Sequence, residues 1–230
     1  MDEVFDKVER IVIFRFSVFG QEIEIGNTIL VTWIIMAILI IGFMLITRKL
    51  SPNRPGKLQI LVEWLVQIVR NLCKDNIGSH GAGFVPYLGS LMIYLVVANI
   101  ITLFNFIPGL RLYPPTKDIN VTAALALMSI VVVFYASFRY KGVKGWLKSL
   151  IEPIPVMAPF KLMEYATKPL SLCLRLFGNI LASFIIMELI MSFFPLAAGP
   201  LSIYFDIFDG VLQAFIFVFL TTLYIGEAVE

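Results

Sequence analysis

Leu170-Ser171-Leu172-Cys173-Leu174-Arg175-Leu176-Phe177-Gly178-Asn179-Ile180-Leu181 decides how the chain is read. The stretch is strongly apolar and reads as a helix inside a membrane, yet it carries an arginine. A guanidinium near the bilayer centre costs about 2.5–3.5 kcal/mol on insertion scales, and about 10–17 in simulations of isolated helices. Arginine cannot escape by shedding its proton, because its pKa lies above roughly 12. An intramembrane arginine is a functional-site candidate by default, and Arg175 is the first one here.

The composition around it agrees. Of 230 residues, 59% are hydrophobic and only 15% charged, with a mean hydropathy of +0.90. Soluble domains run about 45–50% apolar and about 25% charged. The chain therefore reads as an all-α integral membrane protein, a single polytopic domain over 1–230. Apolar runs at 28–47, 86–107, 121–138, 159–194 and 201–225 supply five crossings. A span needs about 20 residues for a hydrocarbon core of roughly 30 Å. The run 159–194 exceeds that and holds Lys161, Glu164, Lys168, Pro169, Arg175 and Glu188, so it is no simple upright helix. Phe194-Pro195 to Gly199-Pro200 breaks the chain and folds the last two runs into an antiparallel hairpin.

Segment 57–75 differs from the spans. Leu61, Trp64, Leu65, Ile68 and Leu72 recur at helical spacing, with Glu63, Gln67, Arg70, Asn71 and Lys74 on the other side. That is an amphipathic helix, lying on the membrane surface or packed on the protein's own loops. Residues 1–27 lack a long apolar run and form an outer N-terminal segment. Their acidic start, Met1-Asp2-Glu3, does not fit a cleavable signal peptide.

Orientation follows from the loops, because cytoplasmic loops carry the excess of Lys and Arg. Arg48, Lys49, Arg54, Lys57, Arg70 and Lys74 crowd one loop region, and Arg139, Lys141, Lys144, Lys148 and Lys161 another. The region 108–120 holds only Arg111 and Lys117. The N-terminus is expected outside and the C-terminus in the cytoplasm.

Several function classes find no support. No basic stripe interleaved with aromatics suggests nucleic acid. Cys73 and Cys173 lack any framework spacing and read as free thiols. Gly78-Ser79-His80-Gly81-Ala82-Gly83 lacks the lysine and strand context of a phosphate loop and reads as a flexible linker. His80 is the only histidine, so no His-based metal centre or triad can be assembled, and no nucleophile sits beside a general base. No metal, no cofactor and no enzyme activity of the chain alone are expected.

The last two runs concentrate the polar residues. Arg175 and Asn179 are four apart and share a helix face. Phe184 and Glu188 share another, with Glu188 about 140° from Arg175 on a regular helix. Asp206 and Gln213 are seven apart and nearly in line, and Asp209 and Gln213 are four apart. Counting from the break, Glu188 and Asp206 come to similar depth, which suits a polar cleft near the outer face with Arg175 deeper. Intramembrane Asp, Glu and Arg commonly mark ion paths. The alternatives are an arginine that locks the hairpin, interfacially solvated Asp206 and Asp209, and a plain helix–helix hydrogen bond from Gln213.

Residues 167–181, Thr-Lys-Pro-Leu-Ser-Leu-Cys-Leu-Arg-Leu-Phe-Gly-Asn-Ile-Leu, resemble the most characteristic motif of subunit a of bacterial F-type ATP synthases. Pro115 to Leu127, Asn105-Phe106-Ile107-Pro108 and Gln213-Ala214-Phe215-Ile216-Phe217 resemble three further blocks of that family. The likeness covers roughly 28–226. It implies a stator subunit of the membrane sector in the bacterial plasma membrane, its long tilted hairpin set against a rotating c-ring. It implies two half-channels that carry protons, or in the alternative sodium ions, to and from a c-subunit carboxylate, coupling the gradient to ATP synthesis. Partners would be the c-ring, the peripheral-stalk b subunit and the other synthase subunits. The family's translocation positions fall on Arg175, Asn179, Gln213 and Asp206, with Asp209 and Glu188 beside them, and Asn105, Asp118 and Asn120 as candidates for the outer half-channel. One departure stands out. Nine residues after the arginine many members carry Glu or His, and here the residue is Phe184, leaving Glu188 to take the polar role. A stand-alone secondary transporter is the rival class, but the inverted repeats it would show are not visible.

Overall fold

The computed structural model describes residues 12–18, 21–48, 56–101, 114–151, 158–194, 200–201 and 203–229, with side chains from Gly26 onward except at 150, 151 and 206. It opens with a feature absent from the sequence reading. β1 (Val12–Val18) and β2 (Gln21–Gly26) pair antiparallel, with Arg15 opposite Glu24 and Ser17 opposite Glu22. The signal was available: Phe14-Arg15-Phe16-Ser17 and Glu22-Ile23-Glu24-Ile25 alternate with the two-residue period of a strand.

The rest is helical, as expected. α1 spans Asn27–Arg48, α2 Lys57–Ile77, α3 Val85–Ile100, α4 Ile119–Tyr140, α5 Gly142–Ile151, α6 Ala158–Phe193 and α7 Gly210–Val229. Among the described residues, five stretches are long and apolar enough to cross a membrane: Asn27–Arg48, Lys57–Ile100, Ile119–Tyr140, Ala158–Phe193 and Ile207–Val229. α1 shows why such helices need lipid. Only Val31 and Ile35 are buried, while Ile34, Ile38, Ile41 and Leu45 are exposed. In water that face would be a large unpartnered apolar patch.

Two readings are corrected or extended. The glycine-rich stretch is a 3-10 helix, Gly78–Phe84, joining α2 to α3 directly, so it is not a flexible linker. Gly78 takes φ 72°, and a Cβ at Gly81 would collide with the Cys73 carbonyl, so the turn is built on glycine. The basic region after α4 contains a short helix of its own, α5. Trp146 donates to the Tyr165 hydroxyl at 3.2 Å, while Val143 and Leu147 face outward. As for α2, Leu61 is 55% and Trp64 60% exposed while Val69, Cys73 and Ile77 are buried, so its leading apolar face is uncovered. Cys73 and Cys173 are free and buried.

The chain divides into two compact units, and the division cuts α3, α4, α6 and α7 partway along. The first comprises Met1–Lys49, Tyr94–Val121 and Phe177–Gln213. Its core is Val31, Ile35 and Ala98, with Leu39, Tyr94 and Val97 packed around them. The second comprises Leu50–Ile93, Thr122–Leu176 and Ala214–Glu230, with Leu88, Val133, Leu172, Leu176, Phe217 and Ile225 fully buried. There Asn76 donates to Thr222 Oγ1 at 3.2 Å, and Gly226 lets α7 pass so close that a Cβ would strike the Asn76 carbonyl.

Candidate functional site

α6 runs unbroken for 36 residues through Pro169. Only Leu172, Cys173 and Leu176 are buried along it, whereas Leu170, Leu174, Ile185, Ile186 and Leu189 are exposed. Arg175 is exposed as well, on the side that carries the small residues Gly178 and Ala182. Among the described residues of its own unit it makes no ion pair and no hydrogen bond. A permanent cation uncovered inside a membrane is costly unless it is paired or reaches water.

In the first unit the polar residues of α6 meet the start of the last helical run. Asn179 donates through Nδ2 to Asp209 Oδ2 at 2.7 Å, and Ser183 donates through Oγ to the same oxygen at 3.3 Å. Asn179, expected beside Arg175, is thus committed to Asp209. Asp209 closes the turn Tyr204–Asp209, which is π-helical and leads into α7. Such a turn bonds i to i+5 and is wider than an α turn. The in-line spacing expected for Asp206 and Gln213 assumed a regular helix and does not carry through it. Asp206 lies in that turn, with its side chain outside the described atoms. Gln213 is 4% exposed, and among the described residues its Nε2 finds no acceptor.

The turn before α4 completes this polar region. Thr116 donates to Asn99 Oδ1 at 2.9 Å, and Asn99 Nδ2 donates to the Gly210 carbonyl at 2.9 Å, so one buried amide ties α3, the turn Pro115–Lys117 and α7. Asp118 accepts from Thr28 Oγ1 and from the Asn120 amide, both at 3.0 Å, which caps α4 and holds α1. Asn120 is exposed at the first turn of α4, and Asn105 lies outside the described residues. Lys117 Nζ sits 3.5 Å from the centroid of the Phe184 ring. Burial lowers its amine from 10.5 to about 8, against the opposing pull of Glu188. Lys117 thus lies over Phe184 and within electrostatic reach of Glu188.

The second unit holds a separate charged cluster. Lys168 Nζ lies 2.8 Å from Glu164 Oε1 and 2.6 Å from Glu227 Oε2. Lys161 donates to the Ser149 carbonyl and Lys141 to the Glu227 carbonyl. Together with Tyr165 and Tyr224 these residues line a cavity of about 260 Å³. The sequence reading named Glu164 and Lys168 only as oddities within a span, and it missed Asn99, Thr28, Ser183 and Lys117 as partners. Asn99 alone carried a signal, a primary amide inside an apolar run. No group of three or more His, Cys, Asp or Glu suited to a metal occurs among the described residues.

Membrane-length helices with an arginine, carboxylates and buried amides held within them define a polytopic membrane protein organised around intramembrane polar groups. The sequence profile described as ATP synthase A chain matches residues 29–226. The chain belongs to that family. It is similar to ATP synthase subunit a 1 of Crocosphaera subtropica, 32% identical over 211 residues, which is 91% of this chain and 90% of the relative. Family membership makes it a non-catalytic subunit of the F-type ATP synthase membrane sector.

Proposed function

We propose that this chain is the stator half of a rotary ion path, a single polytopic domain with its N-terminus outside and its C-terminus in the cytoplasm of a bacterial plasma membrane. The uncovered strip of α6 faces a ring of small c-subunits. Arg175 meets each ring carboxylate as it passes, favours its ionised form and so expels the bound proton. The same charge blocks a proton from leaking straight between the two half-channels. The outer path runs by Glu188, Asp206 and Asp209, with Asn179 and Gln213 near the ring and Asp118 and Asn120 toward its mouth. The inner path uses the cavity around Lys168, Glu164 and Glu227. A transmembrane voltage supplies about 2.3 kcal/mol per charge per 100 mV, so several protons must be summed by rotation for each ATP.

The observation that carries this reading is Arg175 itself, exposed on an apolar intramembrane helix and without a partner among the described residues of its own unit. A transporter complete in one chain has no reason to leave its costliest charge uncovered. Purification in mild detergent is expected to recover the chain with a ring of small, carboxylate-bearing hairpin subunits and the b subunit. A chain that purifies alone and transports solute after reconstitution is a secondary transporter, and the reading then fails.

A further inference from the structure

Asn99 is an amide in the middle of an apolar run, Val96-Val97-Ala98-Asn99-Ile100-Ile101, and the ion path described above makes no use of it. Its side chain is 3% exposed. An amide buried so deeply is costly unless its oxygen and its nitrogen are both bonded. The Thr116 hydroxyl donates to Oδ1 at 2.9 Å, which leaves Nδ2 to donate to the Gly210 carbonyl, also at 2.9 Å. Gly210 is where the last helical run changes register. Its own N–H points back to the carbonyls of Phe205 and Ile207, five and three residues before it, and the π-helical turn Tyr204–Asp209 ends there. The approach is close as well. A Cβ at Gly210 would stand 2.8 Å from the Asn99 Cβ, so the amide reaches this carbonyl only past a glycine. Asp209 directly precedes Gly210 and accepts from Asn179 and Ser183. All of these residues belong to the first unit.

We propose that Asn99 is a positioning residue of the outer path: through the Gly210 carbonyl it holds the π-helical turn in place and so keeps Asp209 on Asn179 and Ser183. The proposal rests on the reading of Asp209 as part of that path. A π turn carries more residues than an α turn, and such turns are rare and recur at functional sites. Relaxed to a regular helix, it would swing the residues before Gly210, Asp209 among them, by up to about 100° around the axis. A side-chain donor on the Gly210 carbonyl opposes that swing from outside the helix. The carbonyl has a second lone pair to accept it, and the buried bond is strengthened by the low local dielectric. The amide is anchored in turn. It sits on α3, and Thr116 ties it to a turn closed by Lys117 N on the Pro114 carbonyl at 3.0 Å and Asp118 N on the Pro115 carbonyl at 3.1 Å. Asn99 carries no proton itself. Its part is to place a carboxylate, and a misplacement of about 1 Å can lower a rate about 10²-fold.

The test uses the assembled synthase in native membranes, with Cys73 and Cys173 replaced by serine. Ser183→Cys and Asp209→Cys together put a thiol on each side of the 3.3 Å contact. After oxidation and denaturation, closure of the pair is read as protection of both thiols from a gel shift by maleimide-tagged polyethylene glycol. The pair is expected to close with Asn99 in place and to stay open with Asn99→Leu, which is of similar size and lacks the donor. Gly210→Ala disturbs the same contact from the other side and opens the pair too, so it decides the matter if Asn99→Leu fails to assemble. Thr116→Val removes a bond to Asn99 but leaves the hold on Gly210, and the pair still closes. With Ser183 and Asp209 native, ATP synthesis after an acid jump falls at least about tenfold in Asn99→Leu and stays within about threefold of wild type in Thr116→Val. A thiol pair that closes as in wild type in Asn99→Leu or Gly210→Ala overturns the proposal, as does a Thr116→Val complex as slow as Asn99→Leu. Normal synthesis in Asp209→Asn would instead remove the path reading beneath it, and the thiol pair tells that failure from the other.

Discussion

Replacing Arg175 with alanine abolishes ATP synthesis driven by a proton gradient, while the complex still assembles. Arg175 is exposed, and among the described residues of its unit it holds no other side chain in place. Its removal therefore costs the fold little, and the loss falls on the ring carboxylate that it serves. A carboxylate left without its guanidinium in a low-dielectric seam loses about 3–5 kcal/mol of stabilisation of its charged form. That corresponds to roughly a hundred- to several-thousand-fold in any step that requires it. The ring then stalls or carries its protons past without releasing them. Synthesis at a normal rate in the alanine variant, with normal assembly, contradicts the assignment.

Glu188→Gln slows proton uptake far more than Phe184→Leu, by about tenfold or more against less than about threefold. The glutamine keeps the shape and loses the titrating oxygen, and a positioned acid–base group contributes about 10²–10⁴-fold where it relays a proton. Phe184→Leu keeps the apolar bulk and loses only the ring face beneath Lys117, a contact worth about 0.5–2 kcal/mol. The initial rate of synthesis after an acid jump, read at several external pH values, separates the two. Equal, wild-type-like rates in both variants take Glu188 out of the pathway.

The parts of this molecule that were legible in the sequence share one property: their meaning is local. Five crossings follow from five apolar runs, because a span must satisfy its own backbone. Arg175 announces itself by being charged in such a run. Phe184 and Glu188 fall on one face because helical phase is fixed over four residues. What was not legible depends on the chain meeting itself far away or on a break in regularity. Lys168 pairs with Glu227 across 59 residues, and no spacing rule reaches so far. Asn179 donates to Asp209 across 30 residues, and nothing in Tyr204-Phe205-Asp206-Ile207-Phe208-Asp209 spells out the π turn that Asp209 closes. Lys117 looked like a loop residue to be counted for orientation, and only the folded turn carries it to the Phe184 ring. The pairing of β1 with β2 is different, since its two-residue alternation stands in the sequence itself.

The central claim is that the uncovered strip of α6 beside Arg175 lies against a ring of carboxylate-bearing helices. Gly178 is the place to test it, because it is exposed and a Cβ there meets no atom within 4 Å. With Cys73 and Cys173 replaced by serine, a cysteine at Gly178 is paired with one placed next to the ring carboxylate. Ile180→Cys, half-buried and about 160° around the helix, serves as the control. A disulfide needs Cα atoms within about 7 Å, so it reports contact and little else. Oxidation of native membranes is predicted to cross-link Gly178→Cys to the ring subunit and to leave Ile180→Cys free. Cross-linking through residue 180 instead of 178, or through neither in a fully assembled complex, would contradict the account.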